Sequence, residues 1–124
     1  MYKIENNFCY DGIIRIYFKG QVDIADIDKL CIELKSVVKT DKALILSDVR
    51  EAKYRFGHRD IDMLHEMVKI HSMLKVKVFE ALLIDTPAET AISTLFNMSN
   101  LRDEHFSRIF STEKAALEWL LSHR

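Results

Sequence analysis

At 124 residues, 48% of them hydrophobic, the chain is long enough to close one core, and a single folded unit over 1–124 is expected. Its 18 Lys and Arg nearly cancel 19 Asp and Glu, so no net field gathers nucleic acid or an acidic membrane face. Three glycines and one proline are too few for a loop-rich or all-β design.

The opening residues, MYKIENNFCYDG, lack the basic patch and long apolar run of a signal peptide. No stretch approaches the length of a membrane span, and a cytoplasmic protein without a transmembrane segment is expected. The runs YKIENNFCY and IIRIYFKG flank Asp11 and Gly12, a pair suited to a tight hairpin turn. Asp23 can cap a helix in which Ile24, Ile27, Leu30, Cys31, Leu34, Val37 and Val38 recur at spacings of three and four. KALILSDV, 42–49, is an apolar run of the kind buried inside a parallel sheet, and a loop is expected after it. A helix follows over 58–74, then a strand over 76–85.

Thr86, Pro87 and Glu89 combine an N-cap, a proline at the first helical position and a capping-box acid, which predicts a helix over 87–102. FSRIF, 106–110, reads as a last strand, and Ser111 or Thr112 caps a closing helix. The order β-β-α-β-α-β-α-β-α predicts an α/β fold: a mixed, mainly parallel sheet of about five strands, four helices and an antiparallel hairpin strand at one edge.

With its hairpin start, the run LILSDV, the stretch ALLIDTPAETAISTLF and the closing FSRIFSTEKAALEWL, the chain resembles the STAS-like superfamily (sulfate transporters and anti-sigma-factor antagonists). Within it, the likeness is to the SpoIIAA-like branch of small stand-alone proteins. The resemblance implies a binding or regulatory module. Antagonists of that family carry a phosphorylatable serine after a central strand. The corresponding stretch here begins at Asp48, and no Ser or Thr occurs between Asp48 and Ser72, so the phosphoswitch is not carried over. The branch is also similar in architecture to CRAL-TRIO lipid-transfer domains, which implies an apolar ligand only by analogy.

In open α/β sheets ligands gather beyond the carboxyl ends of parallel strands. Asp48, Asp85 and Thr86 fall at such ends, and the stretch after Asp48 holds Arg50, Tyr54, Arg55, His58 and Arg59. Arginines there suit a carboxylate or phosphate, with Tyr54 and Phe56 as apolar walls. The alternative is a solvated connection.

On the 58–74 helix, the apolar arc that includes Met63, Met67, Ile70 and Leu74 is wider than a surface helix needs, which suggests a contact surface for another protein, a second copy of the chain (a homodimer), or an apolar ligand. A carrier of a small amphipathic ligand, its anionic head on the basic loop, would need a pocket of several hundred cubic ångströms. His65 and His71 are spaced six apart rather than four, and Cys9 and Cys31 have no partners at metal spacing. No metal site, cofactor or catalytic set is therefore expected, and both thiols read as buried and reduced. A remote enzymatic reading would use Asp48 or Asp85 as a base with His58.

Overall fold

The computed structural model describes residues 1–5, 12–70, 76–98 and 105–124, excepting the side chains of 68–70. Strand β1, Tyr2–Glu5, pairs antiparallel with β2, Ile13–Val22, with Tyr2 opposite Phe18. The hairpin is present, although Asp11 of its expected turn lies outside the described residues. Helix α1, Ile24–Val37, begins where Asp23 was expected to cap it: the Asp26 N–H donates to Asp23 Oδ1 at 2.9 Å, and the Asp23 N–H donates to Asp26 Oδ2 at 3.0 Å. Each aspartate thus satisfies an amide that the first helical turn leaves without a partner.

Strand β3, Lys42–Tyr54, is longer than the 42–49 run predicted. A single 3-10 turn, His58–Asp60, leads into helix α2, Ile61–Ile70, and residues 71–74 of that predicted helix lie outside the described residues. Strand β4, Lys77–Leu83, helix α3, Pro87–Met98, strand β5, His105–Phe110, and helix α4, Glu113–Ser122, complete the order. The end of the helix predicted over 87–102 also lies outside the described residues. Thr112, one of the two expected caps, accepts from the Ala115 N–H.

The sheet has five strands in sequential order, β1-β2-β3-β4-β5, with every pair parallel except the hairpin. Right-handed crossovers between successive neighbours carry α1, α2 and α3 to one face and leave the other for α4. Two apolar clusters reflect this division. Ile14, Ile16, Ile45, Val49 and Val78 pack with Leu30 of α1 on the first face. Ile13, Leu44, Leu46, Phe79, Ala81 and Leu83 pack with Ala116 and Leu120 of α4 on the second. Burying a residue such as Leu30 or Leu120 contributes roughly 1.5–3 kcal/mol. The inner strands read as continuous apolar runs because both of their faces are covered.

The extension of β3 corrects the loop expected after Val49. Tyr17 pairs with Asp48 and Lys19 with Glu51, so Phe18 faces two residues, Val49 and Arg50, across a β-bulge. Up to the bulge, odd-numbered residues of β3 face α1. After it the parity inverts: Ala52 and Tyr54 join the same cluster as Ile45 and Val49. Charged Arg50, Glu51 and Lys53 give the segment the look of a loop, yet they lie exposed on the end of a strand in which Val49 and Ala52, on either side of the bulge, are buried.

Candidate functional site

A partly open cavity of about 180 Å³ lies between the first face of the sheet and helices α1, α2 and α3. Most of its wall is aliphatic. Ile16 and Phe18 come from β2, Ile45 and Val49 from β3, and Val78 and Leu82 from β4. Helix α1 contributes Ile27, Leu30, Cys31 and Leu34, α2 contributes Leu64, and α3 contributes Ile92 and Phe96. The His65 ring stacks on Phe96 at 4.2 Å, which ties α2 to α3 beside the cavity.

Among the described residues, polar groups enter this wall at two places. The row Val78, Glu80, Leu82 of β4 faces the cavity, and Glu80 is its one acid. Ser47 of β3 donates to Glu80 Oε2 at 2.9 Å, while His105 Nε2 of β5 lies 3.3 Å from Glu80 Oε1. The carboxylate is thus braced from both neighbouring strands. Burial pushes the Glu80 pKa up, but the hydrogen bond and charge of His105 and the bond from Ser47 outweigh it and hold the group below its ordinary value.

The second polar place is the Tyr54 hydroxyl, 3.2 Å from the Ser93 hydroxyl, with the Tyr54 ring stacked on Phe56 at 4.7 Å. Burial, with the charges of Glu80 and Glu89, raises the Tyr54 pKa to about 12 despite its bond to Ser93. Cys31, half-buried in the same wall, is pushed up to about 11 chiefly by burial, so it remains a protonated thiol at neutral pH. Cys9 lies outside the described residues.

The residues singled out from the sequence are dispersed around this cavity rather than gathered in it. Tyr54 is in the wall. Asp48 lies within β3, opposite the last residue of β4, Leu83, and not at a strand end. Its carboxylate accepts from Arg50 Nε at 3.0 Å and Nη2 at 2.8 Å, a bidentate pair. Burial raises the Asp48 pKa, but Arg50 outweighs it and keeps the group low.

Arg55 is exposed and donates to the Gln21 side chain at 2.8 Å; His58, Arg59 and Asp85 are exposed. The Thr86 hydroxyl donates to Glu89 Oε2 at 2.9 Å, joining the two ends of the expected capping box through their side chains. Met63 is 54% exposed and Met67 half-buried, while the Ile70 side chain and all of Leu74 lie outside the described residues. Among the described residues no group of three or more His, Cys, Asp or Glu side chains is placed to hold a metal ion.

Glu80, Ser47, His105 and Ser93 were not found by reading the sequence. One signal was present: Glu80 interrupts the run VFEALLI, and an acid inside a strand covered on both faces needs a buried partner. Which partner it has depends on strand order and register. His105 pairs with Val78, and Ile45 with Glu80, so both braces are diagonal neighbours.

No helix among the described residues is long and apolar enough to cross a membrane. No family profile matches the chain, and no curated protein does. Among solved structures, the chain is similar to an uncharacterised protein of the DUF3478 family, with a SpoIIAA-like fold, from Shewanella loihica PV-4. The two share 19% identity over 97% of this chain and 92% of that chain, with a TM-score of 0.64. The five-stranded mixed sheet with three helices on one face and one on the other is therefore a SpoIIAA-like fold.

Proposed function

We propose that this protein is a STAS-like binding module that carries or senses a small, mostly apolar molecule in the cavity under α1, α2 and α3. The cavity itself is the observation that supports this reading most directly: about 180 Å³ of apolar-walled space with two convergent polar places. A dry cavity of about 150 Å³ is large enough to take benzene. The volume therefore suits one ring or a short branched chain, smaller than the lipid-sized ligand for which several hundred cubic ångströms are required. Binding is favoured over catalysis because the Ser47 hydroxyl donates its hydrogen bond to Glu80, a carboxylate held below its ordinary pKa and so a weak base for activating a nucleophile.

Native mass spectrometry of protein purified from its own host tests the proposal. A small non-covalent adduct on the wild type, absent from a Cys31→Leu variant, is the expected result. A ligand-free mass, with no uptake of toluene at millimolar concentration, would overturn it.

A second reading rests on Met63, which is more than half exposed on α2 and suits self-association through that helix. Sedimentation velocity at high micromolar concentration would then show a dimer, and a monomer alone would remove the reading.

A further inference from the structure

Resting on the cavity as the binding site, we propose that its ligand is a small aromatic or branched aliphatic amine or alcohol. Its polar end donates a hydrogen bond to Glu80. Among the described residues, Glu80 is the one acid in the cavity wall, and the one basic side chain there, His105, is bonded to it. Its two oxygens each accept one bond, from Ser47 and from His105, and a carboxylate oxygen can accept a second. The side chain keeps 22% of its surface accessible while lining the cavity. The braces on both sides fix its position before a ligand arrives, which lowers the ordering cost of binding.

The sign of the charge determines which head groups fit. A carboxylate or phosphate end would bring a second negative charge beside Glu80 in surroundings that screen poorly. Among the described residues, Arg50 and Arg55 are outside the cavity wall and bonded to Asp48 and Gln21, and His105 in the wall is already bonded to Glu80. A hydroxyl or ammonium end instead adds a charge-assisted hydrogen bond, while the apolar body packs against Leu30, Ile92 and Phe96. The cavity size limits that body to about one ring.

Four probes share one ring and differ only in the head: toluene, benzyl alcohol, benzylamine and benzoate. Their affinities, measured by calorimetry on the full chain and on Glu80→Gln, separate this inference from the reading beneath it. The expected order is benzylamine and benzyl alcohol tighter than toluene by about threefold to tenfold, with benzoate weakest. In Glu80→Gln the benzylamine advantage falls to the level of toluene. Toluene binding as tightly as the donor-headed probes, or benzoate binding tightest, would overturn the inference and leave the cavity as the site. Binding by none of the four would overturn both. Should Glu80→Gln fail to fold, the order in the unmutated protein decides alone.

Discussion

Glu80 and Tyr54 connect the cavity to the stability of the fold through pH. Glu80 ionises below its ordinary 4.5 in the folded protein, so the unfolded chain binds more protons under acid conditions. Its contribution is therefore full above about pH 4.5 and is lost as pH falls through the lower folded value. Glu80→Gln is expected to flatten that acid limb, measured by urea unfolding between about pH 3 and pH 6. Tyr54 works at the other end. Its pKa rises from 10.0 to about 12, so its contribution is full below pH 10 and is lost as pH rises through about 12. Tyr54→Phe should cost about 1 kcal/mol at neutral pH through the lost bond to Ser93 and should reduce the alkaline fall, both read from urea unfolding.

At the scale of elements, signals local in sequence were legible. Asp23 and Thr112 mark helix starts because their side chains satisfy amides three residues on. Asp23→Ala is expected to lower stability by about 1 kcal/mol, seen in thermal unfolding, because the Asp26 N–H loses its acceptor, Asp23 Oδ1. The loop expected after Val49 is strand as far as Tyr54 for a physical reason. A bulge inverts the alternation of β3 between Asp48 and Glu51, and a period-two pattern with a phase slip looks like no pattern at all. Asp48 and Arg50, which read as an anion-binding grip, satisfy each other at the bulge. The same slip turns Tyr54 towards α3 and its Ser93.

The whole molecule has an unequal partition of helices, three against one, and that follows from sequential strand order. The mixed sheet and its hairpin edge could be anticipated from the alternation of strands and helices. The cavity could not, because its wall draws on four strands and three helices far apart in the chain, and its polar bracing depends on register across β3, β4 and β5. The cavity also predicts how the core responds to added bulk. In a close-packed interior a larger side chain costs about 1–3 kcal/mol. Cys31→Leu has room to grow into the cavity, so its thermal midpoint is expected to stay level or rise while affinity for benzyl alcohol falls. A fall in midpoint would indicate that the volume is not open to a side chain.

The most direct measurement is a titration of isotope-labelled protein with benzyl alcohol, followed through isoleucine methyl and backbone amide resonances. If the cavity is the site, Ile16, Ile27, Ile45 and Ile92 shift together, while Ile13, on the opposite face with α4, stays fixed. Unmoved cavity methyls, or shifts confined to exposed residues such as Arg55, His58 and Arg59, would contradict the account and return the binding surface to the basic rim.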